Sequence, residues 1–171
     1  MRTEREPLTK ALEDSRRQFV DAMDAVPAGA LGFLRPGDDY SLGGLVIHVN
    51  GVLRRYGAVL DAILDDASTE FNAATVDAAM EVENERSREG VDPADRAELM
   101  TTLTELHGHV MARLEGLDDE ALDRKTPVRY GGEDPYPTSA ADIAGWLTGH
   151  YAEHIPHVSE LVGAWRSASG A

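Results

Sequence analysis

The sequence predicts an all-α fold, an antiparallel four-helix bundle with long inter-helix loops, from three observations. Four long stretches repeat apolar residues every three or four positions. None sustains the alternation of a strand. The segments between them, at 27–40, 66–92 and 117–138, are polar or rich in Gly, Pro and Asp. Four amphipathic helices bury their stripes most simply against one another. With 171 residues, a single domain spanning 1–171 is expected, large enough to bury about two-thirds of its surface without staples.

The first helix runs from about Thr3 to Val26, with Leu8, Leu12, Phe19, Met23 and Val26 on one face, and Pro27 closes it. Ser41 is the expected N-cap of the second, which continues to about Asp65. Its two adjacent stripes, Leu42-Val46-Val49-Leu53 and Leu45-His48-Val52-Val59, make a face wide enough for a bundle core. A short extra helix is expected within 70–90, around Val76 to Glu83. The third long helix has Asp92 as its expected N-cap and Pro93 at its first position. Met100, Leu103, Leu106, Val110 and Leu114 form its face, and Gly116 ends it. Ser139 opens the fourth, with Asp142 three residues on as an imperfect capping box. Ile143, Trp146, Leu147, Leu161 and Trp165 mark its buried side.

Composition removes several classes of function. The chain has no cysteine, which excludes disulfides, thiolate zinc sites and a protein thiol nucleophile. Its 31 acidic against 16 basic residues give a formal charge of −15, so a nucleic-acid partner is not expected. The first ten residues are charged and lack an apolar run, so no signal peptide is expected, and no stretch is long enough for a membrane span. A cytoplasmic location follows as the expectation.

The chemistry concentrates in HYAEHIPH, residues 150–157. On a helix, positions four apart differ by about 40° and positions seven apart by about 20°. His150, His154 and His157 therefore take core-facing slots in the stripe of Ile143, Trp146 and Leu161. Burying one imidazole without a partner costs roughly 1–3 kcal/mol, so three together are a heavy load against a total stability of about 5–15 kcal/mol. A divalent metal satisfies such nitrogens, and neutral imidazole suits zinc and nickel. His150 and His154 form an i, i+4 pair, and His48, on the core edge of the second helix, offers a third ligand from a facing helix. His157 lies beyond Pro156, which removes one backbone hydrogen bond; it is a fourth ligand, an outer partner or a rim group. His109 falls on the outer face of the third helix, and His107 borders its apolar stripe as a reserve candidate.

His150-Tyr151-Ala152-Glu153-His154 also spells the H-x-x-E-H pattern of inverted zinc peptidases. Those enzymes need a distal acidic ligand and a far larger fold; here Glu160 is the sole acid after His154. The spelling is read as coincidence. Glu153 remains a candidate general base, and Tyr56, Tyr151 and Arg55 are candidate substrate-binding groups from their helix positions.

The order of SLGGLVIHVN, a variable middle and HYAEHIPHVSEL resembles the DinB-like, or damage-inducible, superfamily of four-helix-bundle proteins over nearly the whole chain. FNAATV and HYAEHIP further resemble members related to mycothiol-dependent maleylpyruvate isomerase and to the ClbS/DfsB bundle proteins. The resemblance implies a three-histidine metal site at His48, His150 and His154, and a homodimer. His157 stands where many members carry glutamine or another polar residue.

Two classes of function follow. One is a metal-dependent enzyme acting on a small molecule, since three histidines leave one to three positions open. With no cysteine in the chain, thiol transfer or thiol-assisted isomerisation would use a supplied low-molecular-weight thiol, such as mycothiol or bacillithiol in similar proteins. Hydrolysis is the water-based alternative. The other is a non-catalytic protein that binds metal or a small molecule through a closed site. A pH-sensitive histidine cluster without metal is a third reading.

Overall fold

Six α-helices and three short strands succeed one another in the computed structural model, which describes residues 4–65, 70–131 and 134–170. The expected start of the first helix at Thr3 and parts of the second and third loops lie outside those residues. Helices dominate, as expected.

Helix α1 (Arg5–Asp24) buries Leu12, Phe19 and Met23 and packs mainly on α6 (Ala140–Ser169). Helix α2 (Gly44–Asp65) is buried around much of its circumference, because α3 (Ala74–Arg88), α4 (Arg96–Glu115) and α6 all lie against it. Leu53, Leu103 and Leu147, from α2, α4 and α6, are each at most 1% exposed. Full burial of one leucine stabilises by about 1.5–3 kcal/mol. Among the described residues, no helix is long and apolar enough to cross a membrane.

Three local features depart from expectation. The extra helix, α3, spans fifteen residues rather than a short turn around Val76 to Glu83. It lacks a strong apolar stripe and rests on α2 where Gly51 leaves room. A methyl group on Gly51 would stand 3.3 Å from Glu83 Cβ. The third long helix starts at Arg96, not beside Asp92. Asp92 instead closes the turn before it, accepting from Ala94 N through Oδ1 and from Asp95 N through its carbonyl, both at 2.9 Å.

The third departure is a small sheet, where none was expected. β1 (Phe71–Asn72) pairs parallel with β2 (Thr126–Arg129), with Phe71 opposite Val128. β2 pairs antiparallel with β3 (Tyr136–Thr138), with Val128 opposite Tyr136. Strands of two to four residues cannot display an alternation. The short helix α5 (Asp119–Asp123) precedes β2 and β3, with Asp118 Oδ1 accepting from Ala121 N. The sheet delivers the chain to Ser139, whose capping box with Asp142 is complete: Oγ accepts from Asp142 N at 3.2 Å, and Asp142 Oδ2 accepts from Ser139 N at 2.8 Å. Helix α6 then runs thirty residues, with Pro156 inside it, to Gly170, whose φ of 66° suits a residue without a side chain.

Candidate metal centre

The placement of His48 begins one turn before it, at the sequence Ser41-Leu42-Gly43-Gly44. Ser41 Oγ accepts from Gly44 N at 2.9 Å, so Ser41 caps α2 as expected. Ser41 is itself tied to the end of α3, its N–H donating to Ser87 O at 2.8 Å and its hydroxyl to Glu89 O at 2.9 Å. Gly44 passes so near Ser87 that an added Cβ would lie 1.8 Å from the Ser87 carbonyl oxygen. Only glycine permits that approach. One turn further along α2 and one turn back along α3, His48 Nδ1 meets Asn84 Oδ1 at 3.0 Å. With the amide oxygen accepting, Nδ1 carries the proton and Nε2 presents its lone pair.

On α6 the spacing of four does what periodicity implies. The rings of His150 and His154 are 4.5 Å apart, and that of His48 lies 5.0 Å from His150 and 5.2 Å from His154. One ring nitrogen from each lies within 4.8 Å of the other two. Three nitrogens sharing one zinc at about 2.0–2.1 Å in a tetrahedral set are about 3.4 Å apart. Closing the set from 4.8 Å therefore takes an approach of up to about 1.4 Å between ring nitrogens.

Electrostatics favour lone pairs over protons. Burial lowers the pKa of His48 against the opposing effect of its Asn84 hydrogen bond. Burial, and then the neighbouring His48, lowers His150 to about 4; burial, and then His150 and His48, lowers His154 to about 3. All three are neutral at pH 7. Nε2 of His150 and both ring nitrogens of His154 are buried without a hydrogen-bond partner. Such atoms are costly unless something binds them, so the donors present fit a divalent cation.

The other candidates fall at different places. His157 is half-buried; its ring stacks 6.0 Å from His154, and Nε2 lies 3.9 Å from Asp38 Oδ2, outside the converging set. Glu153 is exposed, although its charge acts on His48. Tyr151 is 1% exposed and turned into the core: its hydroxyl meets His107 Nδ1 at 3.3 Å and its ring packs 5.7 Å from Phe19. His107 is buried in the α4 stripe, with Nε2 3.0 Å from Glu13 Oε2, and takes no part in the cluster. His109 is exposed and bonded to Asp61. Arg55 and Tyr56 touch each other, with Arg55 NH1 donating to the Tyr56 hydroxyl at 3.3 Å.

Two site residues escaped the sequence reading. Asn84 sits in the acidic stretch, where nothing in periodicity sets it apart. Tyr40 comes from the loop before α2: its ring stacks 4.7 Å from His48 and stands edge-on to His154 and His157, both at 5.8 Å. An aromatic residue just ahead of a helix cap was the only available signal.

Fold and cluster together define a helical protein whose long helices bring three neutral imidazoles to one point. The chain belongs to the DinB superfamily, whose profile matches residues 11–158, a span that includes all three histidines. Among solved structures it is similar to a structural-genomics crystal structure of a protein from Streptococcus pneumoniae. That likeness has a TM-score of 0.63 at 11% identity and covers 98% of this chain and 92% of the other. At that identity the likeness speaks for the fold alone. No curated protein matches the sequence.

Proposed function

We propose that the protein is a divalent-metal-dependent enzyme in which His48, His150 and His154 hold the ion and leave coordination positions open for a small molecule. The observation that carries this reading is the convergence of three neutral imidazoles whose buried nitrogens lack partners. Zinc or nickel suits an all-imidazole set. When bound, the ion would supply Lewis acidity to a coordinated oxygen or sulfur. The chain's own residues do the rest. Asn84 fixes the tautomer of His48, and the Tyr40 ring stacks on that of His48 and stands edge-on to His154.

Since the chain offers no thiol, thiol transfer or thiol-assisted isomerisation would draw on a supplied low-molecular-weight thiol. Membership of the superfamily and the three-histidine cluster support metal binding. The thiol, the reaction and a cytoplasmic homodimer are part of the proposal, as are the antiparallel order of α1, α2, α4 and α6 and the single domain. Exposed Glu153 would serve as a base only through an intervening water.

Metal analysis of tag-free protein tests the reading, with His48→Ala and His154→Ala as controls. The wild type should carry about one equivalent, and each variant well under a fifth of that. A wild type without metal after incubation with zinc and with nickel rules the proposal out.

A further inference from the structure

Beside the histidine cluster the structure holds a second constellation of chemically distinctive side chains. Arg55 lies seven residues after His48, so it shares that face of α2 about two turns, or roughly 10 Å, along the axis. Trp146 lies four residues before His150, on the histidine stripe of α6, about 6 Å along. The two positions therefore extend the same α2–α6 seam beyond the cluster.

Trp146 is the hub of three tyrosines, with ring centroids 5.5 Å from Tyr56, 6.3 Å from Tyr130 and 6.3 Å from Tyr136. Tyr130 follows β2 and Tyr136 opens β3, so the small sheet supplies half of this wall. Tyr136 is 56% exposed, an unusual expense of aromatic surface. The Arg55 guanidinium lies between two of the rings, 5.2 Å from Tyr56 and 5.1 Å from Tyr130. Asp77 Oδ1 accepts from its Nε at 2.5 Å, and the Tyr56 hydroxyl accepts from NH1. Among the described residues these are its hydrogen-bond partners, which account for two of the five N–H donors of a guanidinium. The side chain is 16% exposed, and its remaining N–H groups are free of other hydrogen bonds among the described residues.

A plain structural role explains the Asp77 contact, which ties α3 to α2 and, through Gly131 N at 3.0 Å, to the end of β2. It does not explain why the guanidinium, 16% exposed and hydrogen-bonded through only two of its N–H groups, is set between aromatic rings along the seam of a protein with a net charge of −15. Such a charge excludes anions in general, so a preorganised arginine is the economical way to admit a chosen one.

We propose that Arg55 and its aromatic wall form an anion-recognition subsite of the metal centre. The molecule that reaches the ion then carries a carboxylate, or a group of like shape and charge, about two helical turns from its metal-binding atom. Asp77 and the tyrosines position Arg55, and Trp146 and Tyr136 cover the apolar body between the two ends. This rests on the metal reading above.

The test uses cobalt-loaded full-length protein and two thiols of equal length, mercaptohexanoate and mercaptohexanol, titrated by the visible cobalt spectrum. A charge-assisted bond to Arg55 should make the acid bind about tenfold more tightly than the alcohol. Arg55→Met should erase the difference while leaving alcohol binding unchanged, and Arg55→Lys should restore part of it. Equal affinities in the wild type, or a preference that survives in Arg55→Met, would overturn the subsite and leave the metal reading standing. Absence of any cobalt spectrum would overturn both. Should Arg55→Met not fold, the wild-type comparison and Arg55→Lys still decide.

Discussion

At the scale of single residues, the cluster depends on a side chain that is not itself a candidate ligand. Asn84 orients His48 from 3.0 Å, and loss of such an outer partner typically costs 10–100-fold in metal affinity. Asn84→Leu should therefore weaken zinc binding by at least about tenfold, measured by chelator competition, with little change in helix content. His107 offers a separate pH prediction. Burial lowers it to about 4, against the pull of Glu13, whereas the unfolded residue titrates near 6.5. Between those values the unfolded chain binds the extra proton, so stability is lost as pH falls from 6.5 toward 4. The slope is at most about 1.4 kcal/mol per pH unit for this one group. Urea midpoints at pH 7 and pH 5 should fall less in His107→Gln than in the wild type. An equal fall would assign the acid sensitivity elsewhere.

At the scale of elements, the crossing of α2 and α3 sets the site. Gly44→Ala would drive a methyl group into the Ser87 carbonyl. Overpacking of this kind costs about 1–3 kcal/mol, and it should also part Asn84 from His48. The variant should melt several degrees lower and bind metal more weakly; an unchanged melting temperature would refute the account. This crossing also marks how far the sequence could be read. The stripes of Leu12-Phe19-Met23 and Leu103-Val110-Leu114 announce α1 and α4 because each helix faces a single core. So do the spacing of His150 and His154 and the alignment of His48 with Leu45 and Val52. Helix α3 was half-legible: it leans on a glycine of α2 instead of an apolar stripe of its own. Asn84 and Tyr40 were illegible, since their roles come from tertiary contacts across 36 positions for Asn84 and from a loop for Tyr40. The sheet left no periodic trace because its longest strand has four residues.

At the scale of the whole molecule, a ligand that binds only the folded state raises its stability. At a free metal concentration of one hundred times Kd the gain is about 2.7 kcal/mol, or roughly 5–10 °C in a chain of this size. Zinc should produce that rise in the wild type, excess chelator should reverse it, and His154→Ala should show neither. The turn of α6 that carries the cluster is held on both sides, with His150 and His154 toward α2 and Tyr151 bonded to His107 of α4. Trp146 stands one turn before His150, while Trp165 lies about 16 Å beyond His154 along the helix. The chain thus contains its own optical reporter. An ion with an unfilled d shell, such as nickel, should quench the emission of Trp146 and spare that of Trp165, whereas closed-shell zinc should leave both bright. Loading could then be followed in unlabelled protein by fluorescence alone.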